Sequence, residues 1–491
     1  WTKMGSTING EAAGDQFGYA VSMNGAGDRI IVGAVQNDGN GTDAGHARVF
    51  DWNGTAWTQV GADINGEATS DQSGYAVSMT DAGDRIIVGA IGNDGNGTNS
   101  GLVRVYDLVG TTWTQVGSDI NGEAAGDLFG GSVSINDAGT RIVVGARLND
   151  GNGTWSGHAR VFDLVGTTWT QIGADINGEA ASDQFGYAVS MNGAGDRIIV
   201  GAPYNDGVGS NSGHARVFDW NGTAWTQVGT DINGEAASDY FGYAVSMNDA
   251  GDRIIVGARY NDGAGYNSGH VRVYDLVGTT WTQVGADIDG EAASDQFGSV
   301  SMNDAGDRIV VGAIGNDVNG TGSGHVRVFD LVGTTWTQVG GDIDGAAQDD
   351  YSGYSISLSS NGSRVAIGSP SHDVGGNSTA GHVRIFELQS NNSWTQLAGD
   401  IDGEAGGDQS GYAVSLNAAG DKVVIGAASN DAGNFNNGHV RVYSYDGTSW
   451  SQQGQDLDGV DADDQLGYAV SINAAGNRIA VAAPYHDGSG F

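Results

Sequence analysis

The sequence predicts an all-β fold, a β-propeller of repeated four-stranded antiparallel blades, and three observations predict it. A tryptophan recurs at Trp1, Trp57, Trp113, Trp169, Trp225, Trp281, Trp336, Trp394 and Trp450, so a period of about 56 residues runs through the whole chain. Each period carries four short runs of β-branched, aromatic or alternating residues, and no helical rhythm lies between them. The 86 glycines fall at turns and follow no collagen triplet. Four short strands in a period above about 40 residues is the propeller pattern.

One blade is too thin to bury itself, so residues 1–491 read as a single stacked array of eight complete repeats and a partial ninth. An open superhelical stack of the same blades is the alternative.

Within the period from Trp57 to Thr112 the strands are WTQVG, GYAVSM (Gly74 to Met79), RIIVGA (Arg85 to Ala90) and LVRVYD (Leu102 to Asp107). GYAVSM and RIIVGA flank a tight turn and form a hairpin. RIIVGA is apolar on both faces, as expected of a strand covered by a neighbouring sheet on each side. The small residues of GYAVSM suit the crowded axis, so that strand is placed innermost and WTQVG outermost, with its tryptophan between blades. The period from Trp281 has FGSVSM at Phe297 to Met302 where its relatives have FGYAVSM. Losing one residue flips the faces of a strand, so either the strand starts later or a bulge disappears.

The net charge is −39, from 59 acidic and 20 basic residues. Such a surface repels phosphate and excludes nucleic acid and anionic membranes as partners; cations and sugars suit it better. With no cysteine there is no disulfide, thiolate metal site or cysteine nucleophile. No apolar run is long enough to span a membrane. Trp1 opens inside a repeat with no signal peptide, so the chain is expected to be an excerpt of a longer precursor.

The organising stretch is Asp183 to Pro203, DQFGYAVSMNGAGDRIIVGAP. Its Phe185-Gly186 and Gly201-Ala202-Pro203 resemble the two signatures of the FG-GAP repeat family, found in extracellular β-propellers such as the integrin α-subunit head, and the resemblance covers the chain. It implies an innermost GYAVSM strand, an extracellular or cell-surface setting and an adhesive or structural role. Integrin-type repeats often hold calcium on a D-x-D-x-D-G-like hairpin, whereas NDAGDR or NGAGDR stands here. Metal binding is therefore not carried onto Asp84, Asp196 or Asp252, which read as turn residues pairing with the adjacent arginine. The short form is closest to FG-GAP-type repeats of secreted or surface microbial proteins.

Two loops per blade share one face, a leading loop such as DINGEAASD and a second loop such as NDGNGTNSG (Asn93 to Gly101). In the leading loop, acids or Asn stand at relative positions 1, 3, 5 and 9. These are Asp63, Asn65, Glu67 and Asp71; Asp119, Asn121, Glu123 and Asp127; Asp175, Asn177, Glu179 and Asp183; Asp231, Asn233, Glu235 and Asp239; Asp287, Asp289, Glu291 and Asp295; and Asp400, Asp402, Glu404 and Asp408. Alternating side-chain oxygens with carbonyls and water could complete the 6–8 hard ligands of Ca²⁺, and Gly66 would permit the reversal. The competing reading has Asp63 and Asp71 bonding nearby amides with Glu67 solvated.

His46, His158, His214, His270, His325, His382 and His439 open the third strand, with Leu102 in one copy. Equivalent positions lie far apart and one blade supplies no second nitrogen ligand, so a buried imidazole bonding to a loop is preferred over zinc. Arg48, Arg104 and Arg160 read as inter-blade partners of the recurring aspartates. Asn40, Asn53, Asn96, Asn152, Asn221 and Asn319 head glycosylation sequons.

No catalytic constellation stands out, and near-identical blades argue against an active site. The leading functional expectation is a non-catalytic, calcium-stabilised structural or adhesive module contacting proteins or glycans. The alternative is a lectin, with Trp155, Tyr204, Tyr260 and Tyr266 as aromatic candidates; a polysaccharide-degrading enzyme comes third. The leftover strands at the two ends, WTKMG with LGYAVSI and RIAVAAP, are expected to share one incomplete sheet whose edges favour self-assembly.

Overall fold

A computed structural model describes residues 11–483 except 12–14, 25–27, 54–55, 81, 249, 304–305, 432–434, 460–463, 478 and 482. Eight sheets follow one another, each ordered inner, second, third, outer strand and antiparallel throughout. In the third blade these are Ser132–Ile135, Arg141–Ala146, His158–Val165 and Thr168–Gln171, with Val133 opposite Val144, Val144 opposite Arg160, and Leu164 opposite Trp169. No helix occurs among the described residues.

One part of the sequence reading needs correction. The Ile-Asn of the leading loop is strand: Ile176–Asn177 pairs with the start of the third strand, Ala159 opposite Ile176 and His158 opposite Asn177. The outer edge of each blade is thus two short pieces, and positions 3 of the leading loops sit on the second piece.

The array closes on itself. Of the two strands of a ninth sheet, Val470–Ile472 packs against the inner strand Ser410–Leu416 of the eighth blade, and its partner Ile479–Val481 reaches the inner strand Phe17–Met23 of the first. The molecule is an eight-bladed propeller with this small sheet seated between its last and first blades. Trp1 to Gly5, expected to share that sheet, lie outside the described residues.

Stacking explains the doubly apolar second strand. In all eight blades every residue of that strand after the first is buried. Ile87 faces the third blade with Val103, Val105, Phe129, Ile142 and Trp169, while its neighbours Ile86 and Val88 face the first blade with Ile31, Val49 and Trp113. The tryptophans pack between blades as expected. Each fully buried Val or Ile contributes about 1.5–3 kcal/mol, and the same cluster recurs at each interface.

Glycines set the spacing. A Cβ on Gly201, in the second strand, would lie 2.1 Å from the carbonyl oxygen of Gly242, the FG glycine of the next blade. Gly89 and Gly130, Gly145 and Gly186, Gly312 and Gly353, and Gly368 and Gly411 repeat the contact at 2.3, 2.2, 2.4 and 2.1 Å. The two glycines of the FG-GAP signatures therefore touch each other across every such interface, backbone against backbone. The phenylalanine is more dispensable, since Ser73, Ser352, Ser410 and Leu466 stand in its place in other sheets.

On the opposite face an arginine clamps adjacent blades. Arg141 forms a two-pronged pair with Asp163 of its own blade, Nε to Oδ1 at 2.5 Å and Nη2 to Oδ2 at 2.6 Å, while its Nη1 donates to the Gly195 carbonyl in the next hairpin at 2.9 Å. Arg29, Arg197 and Arg308 do the same toward Gly83, Gly251 and Gly362, each at 2.6 Å, and Lys422 reaches Gly476 of the ninth sheet at 2.7 Å. The adjacent-arginine pairing expected for the turn aspartates is thus not what forms. Asp196 and Asp252 accept from Asn192 and Asn248 within their own turns at 2.8 and 2.7 Å, and Asp84 accepts from Thr80 at 3.1 Å.

The missing residue of the sixth blade is absorbed by a bulge. In the second blade Ser73 opposes Ala90 and Ala76 opposes Gly89, leaving two residues over; in the sixth, Phe297 opposes Ala313 and Ser299 opposes Gly312, leaving one. Downstream register is unchanged, so the faces do not flip. The shorter bulge relaxes the glycine contact, and a Cβ on Gly257 would meet Gly298 at 3.4 Å. Gly201→Ala should therefore cost about 1–3 kcal/mol or more through overpacking, and Gly257→Ala clearly less. Thermal melts of the two variants beside the parent check the ranking, and equal losses would refute it.

Candidate functional site on the loop face

The leading loop crosses from one blade to the next and is latched to the second loop of the blade it leaves. Gly66 and Ser73 donate backbone N–H to the carbonyls of Gly45 and Ala44 at 2.7 and 3.0 Å. Gly66 is needed for this close passage and not for a reversal, because a Cβ there would meet the Ala44 oxygen at 2.0 Å. The sequon residues Asn40, Asn96, Asn152 and Asn319 lie in the same latch, each Nδ2 donating to the carbonyl of a leading-loop glycine at 2.7–2.8 Å.

Position 9 holds the loop together. Asp239 is fully buried, and its Oδ2 accepts from the amides of Glu235 and Ala236 at 3.0 and 2.8 Å and from Asn261 Nδ2 at 2.9 Å. Asp71, Asp127, Asp183 and Asp295 have the same three donors; Asp408 takes the two loop amides at 3.0 and 2.8 Å. Position 1 accepts from a glutamine four residues earlier, as Asp175 does from Gln171 at 2.7 Å.

The structure regroups the remaining candidates across loops. Position 5 of one loop and position 1 of the next converge on the histidine between them, giving Glu11, His46 and Asp63; Glu123, His158 and Asp175; Glu179, His214 and Asp231; and Glu235, His270 and Asp287, with one ligand atom from each residue within 4.8 Å of the others. His158 Nδ1 stands 3.8 Å from Glu123 Oε2, too far for a hydrogen bond. Desolvation raises the pKa of Glu11, Glu123, Glu179, Glu235, Glu291 and Glu404, and likewise of Asp289 and Asp402.

The third-strand arginines do not mainly pair with aspartate. Arg160 lies over the Phe129 ring at 4.2 Å, donates to the Asn121 carbonyl at 2.5 Å and stands 3.9 Å from Glu123, whereas Arg272 reaches a position-1 aspartate closely, Asp287 at 2.7 Å. The histidines do not bond a loop either. All seven are fully buried, neither ring nitrogen has a hydrogen-bond partner, and five of them pack edge-on against the FG phenylalanine, as His214 does on Phe185 at 6.2 Å. In the divergent seventh blade a second imidazole is supplied, because His372 replaces the asparagine that elsewhere bonds the position-9 aspartate, bonds Asp350 at 2.9 Å and stacks on His382 at 3.9 Å.

A second assembly surrounds the axis on this face, and sequence reasoning missed it. The bulged start of the inner strand presents Tyr19, Tyr75, Tyr187, Tyr243, Tyr354, Tyr412 and Tyr468, with neighbouring rings 5.0–5.3 Å apart where both are present. Desolvation and neighbouring phenols push Tyr19 up to about 12 and raise Tyr187 and Tyr412. Gly131 and the shortened bulge at Gly298 leave two positions without the ring. Of the lectin candidates, Tyr204 joins this assembly through Tyr187 at 6.3 Å and Tyr260 follows through Tyr240, which stands 5.4 Å from Tyr204 and 5.6 Å from Tyr260, whereas Trp155 and Tyr266 are exposed on second loops. Counting FG-Y positions along the periods was the available signal.

The buried histidines give a pH prediction. Desolvation pushes His46, His158, His270, His325 and His439 down to about 4 and His214 and His382 to about 3, against 6.5 when exposed. The unfolded chain then binds more protons below pH 6.5, so stability is full above that value and falls as pH drops toward 4, by about 1.4 kcal/mol per histidine at pH 5.5. The raised glutamates act oppositely, from about pH 4.5 upward. His214→Leu, copying the buried Leu102, should make the decline of melting temperature between pH 6.5 and 5 shallower in chelated buffer; an unchanged slope would contradict the assignment.

The FG-GAP repeat profile matches residues 7–50, 65–106, 121–162, 177–218 and 232–274. No curated protein sequence matches the chain. Among solved structures, the Dos1 propeller is 13% identical over 85% of this chain and 91% of its own, with a TM-score of 0.51. Hydrazine synthase of Kuenenia stuttgartiensis is 12% identical over 75% and 95%, with a TM-score of 0.42, and a candidate 6-phosphogluconolactonase of Bacteroides fragilis is 12% identical over 81% and 98%, with a TM-score of 0.41. These likenesses concern the propeller fold. With the same glycine signatures meeting at successive blade interfaces and eight complete blades in the ring, the chain belongs to the FG-GAP repeat β-propeller family.

Proposed function

We propose that this chain is a non-catalytic extracellular or cell-surface scaffold, a structural or adhesive module whose acidic loop face takes calcium and whose surface contacts other proteins or glycans. The observation that carries the reading is the repetition of one inter-blade Glu, His and Asp grouping around the loop face. A reaction centre needs one constellation unlike its neighbours, whereas these groups are near copies. A propeller with the same clamps at successive interfaces also supplies the rigidity a scaffold requires.

The donor set decides how calcium would be held. Calcium prefers oxygen, and imidazole is a poor ligand for it. Glu179 and Asp231 would therefore supply the charge, with carbonyls and water completing the shell, and His214 would remain a packing residue. The Arg216 guanidinium, 3.7 Å from Glu179 Oε1, opposes a cation. Binding at each interface is accordingly weak, and stabilisation depends on many equivalent sites filling by mass action.

Millimolar calcium at constant ionic strength should raise the melting temperature, and chelation should lower it. Glu179→Gln combined with Asp231→Asn should reduce the increment, and Asp196→Asn, on the opposite face, should leave it unchanged. Identical melting curves with and without calcium would overturn the calcium reading.

A further inference from the structure

We propose that the axial mouth at the third to sixth blades binds a carboxylated oligosaccharide, a uronate-bearing chain, over Tyr187, Tyr204 and Tyr240 and between Arg147 and Arg259. The repeat symmetry is broken here by added aromatic side chains. Tyr243, Tyr187, Tyr204, Tyr240 and Tyr260 form a continuous series of ring contacts at 5.0, 6.3, 5.4 and 5.6 Å. At the position of Tyr204 other blades have Gln36, Gly92 and Ser371, and at that of Tyr240 they have Gln16, Gln72 and Gln184. Tyr243 and Tyr260 are exposed and the other three half-buried, so ring faces and hydroxyls are both available.

The two arginines point to an anion. The other described arginines hold a carboxylate or a backbone carbonyl. Arg259 instead bonds the neutral Gln296 Oε1, at 3.1 and 2.7 Å, and lies 5.9 Å from the Tyr260 ring. Arg147, half-buried, lies 5.7 Å from the Tyr187 ring and has no ion pair among the described residues. In a chain of net charge −39 carboxylates are plentiful, yet none among the described residues neutralises these two. Guanidinium over a phenol ring binds a carboxylate in a fixed plane, while aromatic faces with hydroxyl rims suit the C–H faces and hydroxyls of a pyranose.

Calorimetric titration in chelated buffer at physiological ionic strength, with trigalacturonate, its methyl ester and hexa-aspartate as probes, tests the proposal. Trigalacturonate should bind, with the ester and the peptide at least about tenfold weaker, a difference of about 1.4 kcal/mol. Arg147→Ile and Tyr240→Gln, which install the residues of sister blades and so preserve the fold, should each weaken binding about tenfold without lowering the melting temperature. No binding, equal binding of the ester, equal binding of hexa-aspartate, or indifference to both substitutions would each overturn it. Because calcium is absent throughout, failure here is independent of the calcium response of the leading loops.

Discussion

The structure depends on one close passage, the second-strand glycine of a blade against the FG glycine of the next, relaxed only between the fifth and sixth blades. With a Cβ at Gly201 only 2.1 Å from the Gly242 oxygen, the sheets stand nearer than side chains would allow. Their apolar faces then interdigitate. Ile87 and Ile86 can serve opposite interfaces only because the sheets on both sides are equally near. The FG and GA signatures are thus the two halves of one contact, read from two places in the sequence.

That contact fixes what each face can carry. On the hairpin face, one guanidinium in each of the first seven blades spans a carboxylate of its own sheet and a carbonyl of the next, with Lys422 reaching the carbonyl in the eighth, so the charge is spent on clamping. On the loop face, backbone latches and the buried position-9 aspartates do the joining, which leaves positions 1 and 5 free to meet across the histidine. Burial of an imidazole with no partner is costly. The leucine at Leu102 shows that the site accepts an apolar residue, so the histidine is a packing group that makes stability pH-dependent.

Repeat number, strand order and the inner position of GYAVSM were legible because glycine turns and a doubly apolar strand leave few alternatives, whereas closure into eight blades was not. Partners were less legible. Asp84 beside Arg85 looks like a pair in sequence, but Asp84 belongs to the turn and accepts from Thr80, and the cross-strand neighbour Asp107 is the one the guanidinium reaches. The leading-loop acids were read as one chelating loop because their spacing is local. The regrouping of Glu179 with Asp231 spans a full blade, which only the ring geometry discloses. Ile176 and Asn177 looked like loop because a two-residue strand carries no periodicity.

The lost tyrosine of the sixth blade shows how such a ring can acquire specificity. Because the tyrosine sits in a bulge, its removal changes neither register nor the packed faces downstream. The same holds for the residues that follow the second strand, where Ile91, Arg147, Pro203 and Arg259 alternate without disturbing the core. Variation is therefore cheap at the axial mouth and expensive at the glycine contacts. In a scaffold built from near-identical units, a distinctive surface arises where the backbone constraint is weakest, and the clustering of tyrosine and arginine across adjacent blades falls at that place.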